Sequence, residues 1–138
     1  MIIADTGFWL ALANRRDRHH ARAVEALAEI EEGLVSTWPV MTETCHLLAA
    51  RLGVDAELAF LRSFEAGSFV VFPLTLEHAP RIRALMEKYR DLPMDLADAS
   101  LVILAEDLGD GRILSTDRRD FDAYLFKNRE PFCNLLLP

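Results

Sequence analysis

The strongest constraint on the fold is an alternation of two patterns. Short apolar runs, too brief for helices, are separated by longer stretches whose apolar residues recur at helical spacing. The runs are IIA (2–4), LVST (34–37), FVVF (69–72), RILS (112–115) and FCNLLL (132–137). Several are nearly continuous in apolar character, as expected for strands buried on both faces. Between them, MTETCHLLAARLG places Met41, Cys45, Leu48, Ala49 and Leu52 on one helical face, with Gly53 as a stop. DLADASLVILAEDLG does the same with Ala97, Leu101, Leu104, Ala105 and Leu108, ending at Gly109. Further helices are expected over about 7–15, 19–32, 56–66 and 76–89, with a short helical turn after Asp117. Strands alternating with helices imply a parallel sheet covered on both faces, a three-layer α/β/α sandwich.

The 138 residues suit one domain, and no linker, repeat or low-complexity segment divides them. No run of about 18 apolar residues and no secretory leader is legible, so a cytoplasmic protein without a membrane segment is expected. Cys45 and Cys133 form no C-x-x-C pair and are expected to be buried free thiols. The net charge of -7 argues against nucleic-acid binding through surface charge alone. That argument weakens if the acids are gathered around a cation.

In open parallel sheets, sites form beyond the carboxyl ends of the strands. Asp5 closes the first run, and Asp117 follows the RILS run in the same sense. Glu43 lies about one turn into the helix after LVST. Asp95 and Asp98, three residues apart, share the starting face of their helix. Each aspartate also has a plainer explanation. Asp95 suits the N-cap, Asp98 the acidic third position, Asp117 the cap of the following turn, and Asp5 the cap of a helix beginning at Gly7. Independent caps need not converge, whereas a metal site must. Carboxylates within about 4 to 6 Å resist ionising together unless a cation lies among them. With oxygen donors alone, the hard ions Mg²⁺ or Mn²⁺ are expected over zinc. Such an ion, held by carboxylates and water, serves phosphodiester hydrolysis and supplies the local positive charge that the protein lacks.

The segments MIIADTGFWLAL, STWPVMTETCHLL, PMDLADASLVILAE and RILSTDRRDF, in this order, resemble the PIN-domain ribonucleases. The resemblance is nearest to VapC-type toxins of toxin-antitoxin pairs. It implies a five-stranded parallel sheet of order 3-2-1-4-5. It also implies an acidic quartet of Asp5, Glu43, Asp98 and Asp117, holding one or two Mg²⁺ or Mn²⁺ ions for RNA cleavage. Thr6 and Thr116 would support the site, and Asp95 and Asp120 would be auxiliary. The implied partners are RNA, a cognate antitoxin and a second copy in a homodimer, with DNA reached only through the antitoxin. A PIN-fold RNA-processing nuclease or an RNA-binding module remains the alternative.

A receiver domain would need an aspartate after the third strand, where Phe72 and Pro73 stand instead. A phosphatase with a D-x-D motif would need a second acid in ADTGFW. Arg15 and Arg18, in NRRDRHHARA, and Arg118 and Arg119, beside Asp117, are candidate phosphate contacts. Trp38, ahead of Pro39, is expected to act as a hydrophobic staple.

Overall fold

A computed structural model describes residues 1–138. The main sheet contains β1 (Ile2–Ala4), β2 (Leu34–Thr37), β3 (Val70–Phe72), β4 (Arg112–Leu114) and β7 (Cys133–Asn134), all parallel, in the order β3-β2-β1-β4-β7. This is the expected 3-2-1-4-5 arrangement. Its last strand becomes the seventh because a small antiparallel hairpin, β5 (Leu125–Phe126) and β6 (Glu130–Pro131), precedes it in the chain. The central strands β1 and β2 are buried throughout, as their unbroken apolar character required.

Seven α-helices complete the architecture: α1 (Thr6–Ala13), α2 (His20–Glu29), α3 (Trp38–Leu52), α4 (Val54–Glu65), α5 (Ala79–Lys88), α6 (Leu96–Leu108) and α7 (Arg118–Ala123). α1 packs against α2 and α3, α3 against α4, and α5 against α6. α6 is buried around most of its circumference, from Ala97 through Ala105 apart from Asp98. It therefore belongs to the core more than to the surface. A capping box at Asp95 and Asp98 starts it, and Gly109, left-handed at φ 67°, ends it.

Hydroxyls stitch the carboxyl end of the sheet, strand to strand and strand to helix. Ser36 Oγ donates to the Ala4 carbonyl at 3.0 Å, and Thr37 Oγ1 pairs with Ser100 Oγ at 2.6 Å. The opposite end is tied by Arg112, whose guanidinium donates to both Asp110 and Glu32.

Several boundaries differ from expectation. The segment 76–89 is a 3₁₀ turn (Leu76–His78) followed by α5, because Pro80 enters at the first turn of the α-helix. The final run forms a strand only at Cys133–Asn134. Beyond it, Asn134 Oδ1 accepts from Leu136 N and Leu137 N, and Arg22 donates to the carbonyls of Leu135 and Leu136, turning the chain out of the ladder. Cys133 is exposed and Cys45 half-buried, correcting the expectation of buried thiols. Trp38 is no staple: it lies inside the helix, half-exposed, with its ring edge-on to Phe64 at 5.8 Å.

Candidate active site

Three helices begin at the same end of the sheet, and each begins with an aspartate. Asp5 caps α1, accepting from Thr6 N at 2.7 Å. Asp95 caps α6, accepting from Asp98 N at 2.8 Å. Asp117 caps α7, accepting from Asp120 N at 3.2 Å. Asp5, Asp95 and Asp117 are thus helix caps, and the helices they cap start from one end of the sheet. A helix N-terminus carries partial positive charge and tolerates a carboxylate. Three such ends directed to one place let acids gather that would otherwise repel.

They gather around a cleft of about 500 Å³. Its walls include Asp5, Thr6, Gly7, Glu43, Asp95, Asp98, Thr116, Asp117 and Asp120. All four acids of the expected quartet, and all four auxiliaries, therefore share one cavity. The four arginines do not line it. Arg15, Arg18, Arg118 and Arg119 are exposed outside the cleft, and Arg118 donates to the Pro138 carbonyl at 3.2 Å. Arg51, in the last turn of α3, is the one cationic side chain in the cavity wall.

The backbone explains why Asp5 and Asp117 meet. β1 and β4 pair with Ala4 opposite Leu114, and Asp5 N extends the ladder by donating to the Leu114 carbonyl at 3.1 Å. Asp5 therefore lies beside Ser115. The fully buried Ser115 hydroxyl donates to Asp5 Oδ2 at 3.0 Å and accepts from Asp117 N at 2.9 Å. One serine thus spans two acids from different strand ends. Thr116, the hydroxyl expected to support the site, lines the cavity and lies over Gly7, so closely that a Cβ there would overlap its Oγ1. Sequence reasoning missed Ser115, Arg51 and Tyr124. The fully buried Tyr124 hydroxyl donates to Asp98 Oδ2 at 3.1 Å.

Crowding and burial leave an electrostatic signature. The Asp5 carboxyl is pushed up to about 6, chiefly by burial, with Glu43 and Asp117 adding to the rise against hydrogen bonds from Thr6 and Ser115. Asp98 is pushed up to about 7 by burial first, then by the charges of Asp95 and Asp5. Asp117 is raised by burial and by Asp120. Tyr124 is held well above the usual phenol range by burial and by Asp98, so it remains a proton donor.

The donor set fits a hard divalent cation: it offers only oxygen, and its charges are costly without a counter-ion. Thr6 is 4% exposed in the cavity wall, and its Oγ1 has no hydrogen-bond partner in the protein. That orphan hydroxyl is a further oxygen available to an ion or its waters. No three His, Cys, Asp or Glu side chains are drawn into a finished cage. The acids instead surround a common space at wider spacing.

Comparison with known proteins agrees with the fold. The PIN domain family model matches residues 2–127. Ribonuclease VapC26 of Mycobacterium tuberculosis (strain ATCC 25618 / H37Rv) is 34% identical over 122 residues, spanning 88% of this chain and 90% of the relative. Among solved structures, the sarcin-ricin loop cleaving toxin VapC20 of M. tuberculosis superposes with a TM-score of 0.78 at 22% identity. That match covers 86% of this chain and 92% of the toxin.

Proposed function

The chain belongs to the PIN-domain family, and from that premise we propose that it is a metal-dependent endoribonuclease, the toxin of a type II toxin-antitoxin pair. The observation that carries the proposal is the convergence of Asp5, Glu43, Asp98 and Asp117 on one cleft, with burial and mutual repulsion raising three of them. These four residues would hold one or two Mg²⁺ or Mn²⁺ ions, with Thr6 Oγ1 in reach of the same space. A divalent cation bound there supplies positive charge to a phosphodiester transition state and makes water a better nucleophile.

The remaining work falls to the chain itself. Ser115 fixes one oxygen of Asp5 and the backbone of Asp117, so both acids keep their places when the cleft fills. The helix N-termini behind Asp5, Asp95 and Asp117 offset part of the negative charge. Arg51 is placed to contact an RNA phosphate entering the cleft. Arg15, Arg18, Arg118 and Arg119 are left to contacts farther along the strand. Attack by water in line with the leaving oxygen gives a 5′-phosphate and a 3′-hydroxyl.

By the same reading the protein works in the cytoplasm as a homodimer restrained by a cognate antitoxin, and no helix is long and apolar enough to cross a membrane. The test is end-mapped cleavage of RNA by purified protein. Cleavage that requires Mg²⁺ or Mn²⁺, stops in EDTA and is lost in Asp5→Asn supports the proposal. Full activity in EDTA or in Asp5→Asn would refute it.

A further inference from the structure

We propose that Tyr124 is a positioning residue of the cleft, its hydroxyl turning Asp98 so that one carboxylate oxygen is presented to a divalent cation. The inference rests on the metal-dependent reading above and concerns how this chain prepares one of its ligands.

The geometry is specific about oxygens. Tyr124 Oη donates to Asp98 Oδ2 at 3.1 Å, and Asp95 N approaches the same Oδ2 at 3.4 Å. Oδ1 accepts no hydrogen bond from the protein. Both restraints thus hold Oδ2 and leave Oδ1 free, and a phenol has a single proton to give. Partners that orient a ligating side chain in this way act on affinity without touching the ion.

α7 makes the arrangement rigid. The helix has six residues; Asp117 caps its start and Tyr124 closes its end, with Tyr124 N donating to the Asp120 carbonyl at 2.9 Å. One turn and a half of helix therefore carries one acid at its beginning and grips another, from α6, at its end. The Tyr124 ring is fully buried, edge-on to Phe121 at 5.3 Å and to Tyr89 at 5.1 Å. It has no freedom to release Asp98 without disturbing that cluster.

Tyr89 supplies the comparison. It is nearly as buried and packs against Tyr124, yet its hydroxyl accepts from Leu125 N at 3.1 Å and touches no carboxylate. A hydroxyl that only needs a partner is satisfied in that way. Tyr124 is instead satisfied by an acid in the cavity wall.

Tyr124→Phe and Tyr89→Phe, each losing one buried hydroxyl from the same cluster, are compared by calorimetric titration with Mn²⁺ and by RNA cleavage. Tyr124→Phe is expected to bind Mn²⁺ about tenfold or more weakly. Its cleavage should fall without a change in KM for RNA and recover as Mn²⁺ is raised. Tyr89→Phe is expected to lower the melting temperature by a similar amount while keeping wild-type Mn²⁺ affinity. Wild-type Mn²⁺ affinity in Tyr124→Phe, or an equal loss in both variants, would overturn the proposal. A wild-type protein that binds Mn²⁺, weakens on Tyr124→Phe and yet cuts no RNA would support the role of Tyr124 and refute the ribonuclease reading. Absence of Mn²⁺ binding in wild type would overturn both.

Discussion

Replacing Asp5 by asparagine removes a buried negative charge while nearly preserving shape, and the account requires this to stabilise the metal-free protein. Asp5 is 8% exposed and its carboxyl rises from 3.8 to about 6 on folding. Each pH unit corresponds to about 1.4 kcal/mol, so the ionised group costs the native state about 3 kcal/mol above both values. The sign is opposite to that of a salt-bridged aspartate. Between the unfolded and folded values the native state holds the extra proton, so metal-free stability falls as pH rises from about 4 to about 6 and then levels. Asparagine retains an acceptor for Thr6 N and can pair with Ser115 Oγ. The hydrogen bonds from Thr6 and Ser115 are already included in the value of about 6, so the expectation in EDTA at about pH 8 is a variant more stable by about 3 kcal/mol, or about 6 to 12 °C in Tm for a chain of this size. Near pH 5 the difference should shrink to about half, because native Asp5 has by then regained its proton while the unfolded carboxyl is still ionised, and it should close only near pH 4. Millimolar Mn²⁺ should reverse the order, raising the Tm of wild type and leaving the variant in place. Thermal melting at the two pH values, with EDTA and with Mn²⁺, reads all three. A variant less stable than wild type in EDTA at the higher pH, or an equal gap at both, would refute the reasoning.

Ser115→Ala removes the donor to Asp5, in a buried bond, and the acceptor of Asp117 N, in a partly buried one; urea denaturation should show a loss of about 1 to 3 kcal/mol, accompanied by a fall in cleavage rate. Arg51→Ala removes the one cation of the cavity wall; steady-state cleavage should show a raised KM for RNA with kcat nearly unchanged, and the effect should fade as salt is increased.

What was legible in the sequence was whatever a strand end or helix start announces locally. An apolar run ending in Asp5 gave both β1 and the acid at its exit, and Asp95 with Asp98 is a capping box visible in four letters. Strand order and the meeting of the acids came from the family resemblance combined with the rule for parallel sheets, and the cleft contains the whole set. The misses depend on contacts between distant segments. Ser115 and Thr116 are adjacent hydroxyls, and only the register of β4 against β1 decides which reaches Asp5. Tyr124 is 26 residues from Asp98, and its role exists only once α7 folds back against α6. The β5-β6 hairpin was hidden because its strands are two residues long and its turn places Lys127 and Asn128 at φ 52° and 60°. Asparagine favours that conformation, but lysine gives no signal of it. The arginines are read by proximity in sequence to Asp117 or to a loop, whereas the arginine in the cavity wall, Arg51, sits at the far end of a helix.

The central claim is that carboxylates crowded at the ends of β1 and β4 and the starts of α3, α6 and α7 are made tolerable by a divalent cation. Calorimetric titration of Mn²⁺ into metal-free wild type, Asp5→Asn and Asp98→Asn at neutral pH tests it most directly. The account predicts saturable binding of one or two ions per wild-type chain and binding weakened about tenfold or more in each variant. Equal affinity in all three proteins, or none in wild type, would contradict it.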